Sequence, residues 1–142
     1  MKKVLLMSLV RCMAAMAQAK ILRVSNVTGS TAPYKTLADA YTAAKIGDTI
    51  LVDGSSYSYG NFKISNTAKP IVLLGSGYDL RANNITDQNN SDVILDNIEV
   101  YAKGSIIQGI TFNTINAIAD NIVINRCKGG VIRSYISQNI SG

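Results

Sequence analysis

Two carboxylates, two lysines and three tyrosines recur in this chain at spacings suited to chemistry. Asp96 and Asp120 open two related segments, DNIEVYAKGSII and DNIVINRCKGGVI, 24 residues apart. A pair of carboxylates on one face is what acid–base cleavage of a glycosidic bond requires. Stacked at strand spacing the two acids would repel each other, and the chain contains no histidine. They read as corner-capping or solvated acids, the usual state of aspartate, and no catalytic residue is assigned. Lys103 and Lys128 recur at an offset of 25, with Arg126 and Arg133 nearby. That cluster suits an anionic ligand, although scattered lysines more commonly serve solubility. Tyr57, Tyr59 and Tyr78 lie at or beside glycine-rich corners, where a phenol stacks on a sugar ring and also hydrogen-bonds. The plainer role is to cover the ends of an aliphatic core. The candidate ligand-binding residues are therefore Tyr57, Tyr59, Tyr78, Lys103 and Lys128. Cys127, within INRC, reads as a small inert core filler. One such cysteine and no histidine leave zinc almost without ligands, so no metal site is expected.

The elements that must position these residues repeat. A capped helix is expected over residues 36–45: Thr36 and Asp39 have capping-box spacing, and Leu37, Ala40, Tyr41 and Ala44 make one narrow apolar face. Gly47 is expected to supply the left-handed residue that stops the helix, and Gly47-Asp48 leads into the strand Thr49 to Val52. A lone strand is expected at Ile21 to Ser25, and a further one at Asn61 to Ser65. LVDGSSY from Leu51 and LLGSGY from Leu73 both set aliphatics before a glycine turn and a tyrosine after it. Tyr78 to Ser91, rich in Asn and Asp, reads as an excursion from one face. Beyond Asp92, Ile98 and Val100 recur as Ile122 and Ile124, and Ile106 and Ile107 recur as Val131 and Ile132. This period of 24 to 25 predicts stacked coils, with Asn97 above Asn121 in an asparagine ladder and Gly104 and Gly129 at the next corner. An all-β parallel β-helix solenoid of roughly three to four coils follows, capped at its N terminus by the short helix. An antiparallel sandwich is the alternative, but it lacks Asn-Gly hairpin turns here.

Residues 1–19 have the form of a secretory signal: Lys2 and Lys3, an apolar Val4 to Val10, and cleavage after Ala19 within Ala17-Gln18-Ala19. The domain then spans 20–142, and the expected compartment is extracellular, periplasmic or the cell surface. A segment of seven residues is too short for a membrane span. Removing the signal takes the 14 basic residues to 11 against 9 acidic ones, so a net charge of +5 becomes +2. The remaining cations form no run and interleave with no aromatics, which excludes a nucleic-acid groove. With Cys127 as its one cysteine, the exported domain forms no internal disulfide. Only 16% of residues are charged and 6% aromatic, with no tryptophan, a composition that a stack of aliphatic columns tolerates better than a compact globule does.

The elements TLADAYTAAKIGDTILV, VLLGSGY and SIIQGITF resemble the N-terminal cap and first coils of the right-handed parallel β-helix, pectin-lyase-like superfamily of secreted bacterial proteins. The resemblance covers most of residues 36–136. It implies a right-handed solenoid, and because that superfamily has further coils and a C-terminal cap, a chain truncated at its C terminus and open to self-association through its last coil. The expected function is a secreted or cell-envelope module with a structural or glycan- or surface-binding role and no catalytic site of its own. The alternative is the N-terminal fragment of a polysaccharide lyase or glycoside hydrolase acting on acidic polysaccharide, its catalytic coils lying beyond residue 142. No cofactor is expected, except Ca2+ in the lyase alternative. The expected partner is a polysaccharide or cell-surface glycan.

Overall fold

The computed structural model describes residues 18–77 and 92–135. Most of the expected signal segment, Tyr78 and the excursion to Ser91 lie outside these residues. The chain is mostly β, with parallel strands in two sheets and one short helix, an arrangement compatible with a β-helix solenoid; neither sheet closes on itself. The elements in order are β1 (Ile21–Val24), α1 (Leu37–Ala43), β2 (Thr49–Val52), β3 (Phe62–Ile64), β4 (Val72–Gly75), β5 (Ile94–Val100), β6 (Ile106–Gln108), β7 (Thr111–Ala117), β8 (Val123–Asn125) and β9 (Lys128–Ser134). The first sheet runs β1-β2-β4-β6-β8 and the second β3-β5-β7-β9. From β2 onward the strands alternate between the sheets, so each turn of chain adds one strand to each. Every pairing is parallel. β1, expected to stand alone, instead extends the first sheet, with Ile21 beside Thr49.

Inward positions stack into continuous columns. Ile50, Leu73, Ile107 and Ile124 follow one another across the first sheet, and Phe62, Ile98, Ile115 and Ile132 across the second. Such columns take mostly aliphatic side chains out of water on the inward face.

α1 covers the start of the stack. Thr36 is extended, and its Oγ1 accepts from the Asp39 N–H at 3.2 Å, which satisfies one orphan donor of the first turn. Leu37, Ala40, Tyr41 and Ala44 are all buried, and the Tyr41 ring meets Phe62 edge-on at 5.8 Å. The helix stops at Ala43 because Ala44 is already extended, at φ −70° and ψ 150°. Gly47 is left-handed as expected, but it acts three residues later, in the turn into β2, where its N–H donates to the Pro70 carbonyl at 2.9 Å.

The expected period of 24 to 25 residues is corrected by the strand register. Ile94 lies beside Thr111, Ile106 beside Val123 and Thr111 beside Lys128, each a step of 17. Ile98 therefore stacks on Ile115 rather than Ile122, and Ile106 on Val123 rather than Val131. Asn97 does not stand over Asn121; it aligns with Thr114, and Asn121 sits in a turn with φ 54°. Lys103 does not stand over Lys128, which aligns with Thr111. The physical reason lies at the corners. At a step of 17, left-handed Gly104 corresponds to left-handed Asn121, and left-handed Gly109 to left-handed Arg126. Matching glycine to glycine instead pairs Gly104 with Gly129, which is not left-handed. Gly129 is required for another reason: a Cβ there would lie 2.7 Å from two carbons of the Phe112 ring stacked beside it.

Candidate functional site

The outward face of the second sheet carries two polar columns. Asn61, just ahead of β3, stands beside Asn97, which is followed by Thr114 on β7. Lys63, Glu99, Asn116 and Arg133 form the second column. Outward residues of neighbouring strands recur at about 4.8 Å, so the columns present polar groups at regular intervals along the stack.

The amide ladder expected for Asn97 exists with a different partner. Asn61 Oδ1 accepts from both the Asn97 backbone N–H at 3.2 Å and Asn97 Nδ2 at 3.0 Å. One amide oxygen thereby fixes the orientation of the next amide. Beside it, Lys63 Nζ lies 3.3 Å from Glu99 Oε2, the Tyr101 hydroxyl donates to the same oxygen at 3.2 Å, and Lys63 Nζ sits 4.7 Å from the centre of the Tyr101 ring. The Glu99 hydrogen bond is the main cause of a Lys63 pKa above its ordinary value, with the Tyr101 and Glu99 charges adding to it. Asn116 differs: its Oδ1 is buried with no hydrogen-bond partner. Asn61, Phe62, Lys63, Asn97, Glu99 and Asn116 line an open depression of about 430 Å³. A second depression of about 400 Å³ continues from Asn61, Phe62 and Lys63 towards Thr36 and Tyr59 beside α1.

The candidate residues read from the sequence are scattered over this frame. Tyr59 borders the second depression, but its hydroxyl is committed, donating to the Asp53 carbonyl at 2.7 Å and accepting from the Asn26 N–H at 3.3 Å. Burial pushes its pKa up, against the lowering effect of the Asn26 donor. Tyr57 is 75% exposed on the same connection. Lys103 occupies the exposed turn between β5 and β6, and Lys128 begins β9; Tyr78 lies outside the described residues. Asp96 accepts from the Ser58 hydroxyl at 3.1 Å, whereas Asp120 lies in the turn whose carbonyl receives the Gly104 N–H, so the two acids form no pair. Asp48 is a structural clamp: its two oxygens accept from the Lys20 and Lys45 backbone N–H groups, each at 2.8 Å. Cys127 packs against the core, and burial raises its thiol pKa.

Lys63, Glu99, Tyr101 and Asn116 were not singled out by the sequence. The step of 17 would have joined Glu99 to Asn116 and Asn116 to Arg133, whereas Lys63 meets Glu99 across a longer turn of 36 residues that no repeat in the sequence marks. Among the described residues no three His, Cys, Asp or Glu side chains gather into a metal-binding group, and no helix is long and apolar enough to cross a membrane. The chain matches no protein-family model, no curated protein and no solved structure.

Proposed function

We propose that this protein is an exported, right-handed parallel β-helix module of the pectin-lyase-like type that binds glycan along the outward face of its second sheet and has no catalytic site of its own. The carrying observation is the Asn61–Asn97 amide ladder with the unpartnered Asn116 amide beside it. Each amide offers both a donor and an acceptor, the combination that sugar hydroxyls demand. The face is open and continuous, which suits a chain lying along the stack better than a small molecule enclosed in a cleft. Export is supported by Lys2, Lys3, the apolar Val4 to Val10 and the small residues before Lys20. In this reading the last coil also provides a surface for self-association, supported by exposed Val123, Val131, Ile132 and Tyr135.

The test is a printed glycan array probed with the 20–142 chain and with Asn61→Ala/Asn97→Ala. Binding to a defined group of glycans, lost in the double variant while its thermal melt stays cooperative, is the expected result. An empty array, or binding indifferent to these amides, refutes the proposal.

A further inference from the structure

Resting on the glycan reading above, we infer that the depression lined by Asn61, Lys63, Asn97, Glu99 and Asn116 selects an uncharged, hydroxyl-rich sugar chain over a uronate polymer. The cation and anion of the lining are closed on each other, with Lys63 Nζ 3.3 Å from Glu99 Oε2 and the Tyr101 hydroxyl completing that oxygen at 3.2 Å. A ligand carboxylate entering here must displace Glu99 from Lys63 and then stand beside it. That exchange gains one ion pair, breaks another and adds a like-charge contact, so an anion gains nothing over water. The ammonium also lies over the Tyr101 ring, a contact that a departing Lys63 gives up.

What the depression offers without rearrangement is amides. Asn97 Nδ2 gives one of its two hydrogens to Asn61 Oδ1, and the Asn61 Nδ2 hydrogens remain to donate. The Asn116 oxygen is sealed without a partner, a state that costs stability. Turning the Asn116 amide about its last torsion breaks no hydrogen bond of Oδ1 and brings that oxygen to the groove in exchange for Nδ2. A sugar hydroxyl donating to it there satisfies an acceptor that the protein leaves empty. A carboxylate cannot donate to that oxygen, whereas each hydroxyl of an uncharged sugar can. Arg133 continues the column next to Asn116 but lies outside the lining, which makes it the residue through which an acidic chain would have to act.

The test compares laminarihexaose, mannohexaose and chitohexaose with hexagalacturonate and hexaguluronate by calorimetry at low and high salt. The expected result is binding of at least one uncharged hexamer with the same affinity at both salt concentrations, about tenfold weaker in Asn116→Ala. Asn116→Ala is the informative variant because its amide oxygen holds no part of the fold; a thermal melt confirms this. Preferential binding of a uronate hexamer, weakened by salt and lost in Arg133→Gln, overturns this inference and leaves the glycan reading standing. Binding of none of the five overturns both.

Discussion

The first and the last described strands of the stack sit in different surroundings. At the start, β1 and α1 are laid over the columns, and Leu22, Leu37, Ala40, Tyr41 and Ile50 are buried together. Several polar groups there are also paired. Asp48 clamps two backbone N–H groups, Arg23 meets Asp53 with its Nε and Nη2, and Tyr41 takes the Asn66 N–H on its hydroxyl and Lys69 Nζ on its carbonyl at 2.6 Å. At the other end, every residue of β9 is exposed. The contrast is sharpest within one column, where Ile115 is 0% and Ile132 53% exposed although both point inward from equivalent positions. Apolar type and inward direction do not bury a residue in such a stack. A neighbour on each side does.

That comparison is most open to breakage at Ile115. Ile115→Ala should cost about 2–5 kcal/mol in chemical denaturation, and Ile132→Ala under about 1 kcal/mol, because only the first leaves an enclosed cavity. Equal losses would mean that the last coil is as well covered as the middle of the stack. Next in size is Gly129→Ala, expected to destabilise by about 1–3 kcal/mol through overpacking against Phe112; an unchanged melt would show that β9 moves aside freely.

A pH titration then isolates the start of the stack. Hydrogen bonds from the Lys20 and Lys45 backbones hold the Asp48 carboxyl below its ordinary pKa. A depressed folded value stabilises the protein above the unfolded carboxylate pKa and loses that contribution as pH falls through the folded one. Asp48→Asn should therefore lower the melting temperature at neutral pH and flatten its acid dependence. A variant with the parent's acid slope would remove Asp48 from that role. The smallest effect belongs to the last coil: Arg126→Gly should stabilise by about 1 kcal/mol, since φ 51° is strained for a side-chain-bearing residue. A loss of stability instead would mean that the Arg126 side chain contributes more than its backbone costs.

The cap was legible in the sequence because its signals are local. Thr36, Leu37, Ala40, Tyr41 and Ala44 announce one helical face, and all four apolar members are buried. The strands at Thr49 and Phe62 were legible, the first as an aliphatic run and the second as an alternation. The period was not, because alternating aliphatics match themselves at many offsets and cannot choose between 17 and 24. The deciding signal was conformational: Asn121 and Arg126 hold left-handed backbone that the eye assigns to glycine. The site suffered from the same error. Asn97 was recognised as a ladder residue, but the wrong period gave it Asn121 for a neighbour instead of Thr114 and left Glu99 and Asn116 unrelated, while its amide partner Asn61 lies across a longer turn of 36 residues.

The turn of 17 residues also acts as a unit of counting. Within β5 to β9, duplicating or deleting one whole turn returns every later side chain to its own column, its own corner and its own face, while a single inserted residue turns the aliphatic rows outward. Length in this part of the molecule is thus heritable in whole steps, and each step added after β9 would lengthen the polar face by one strand spacing without redesigning anything that precedes it.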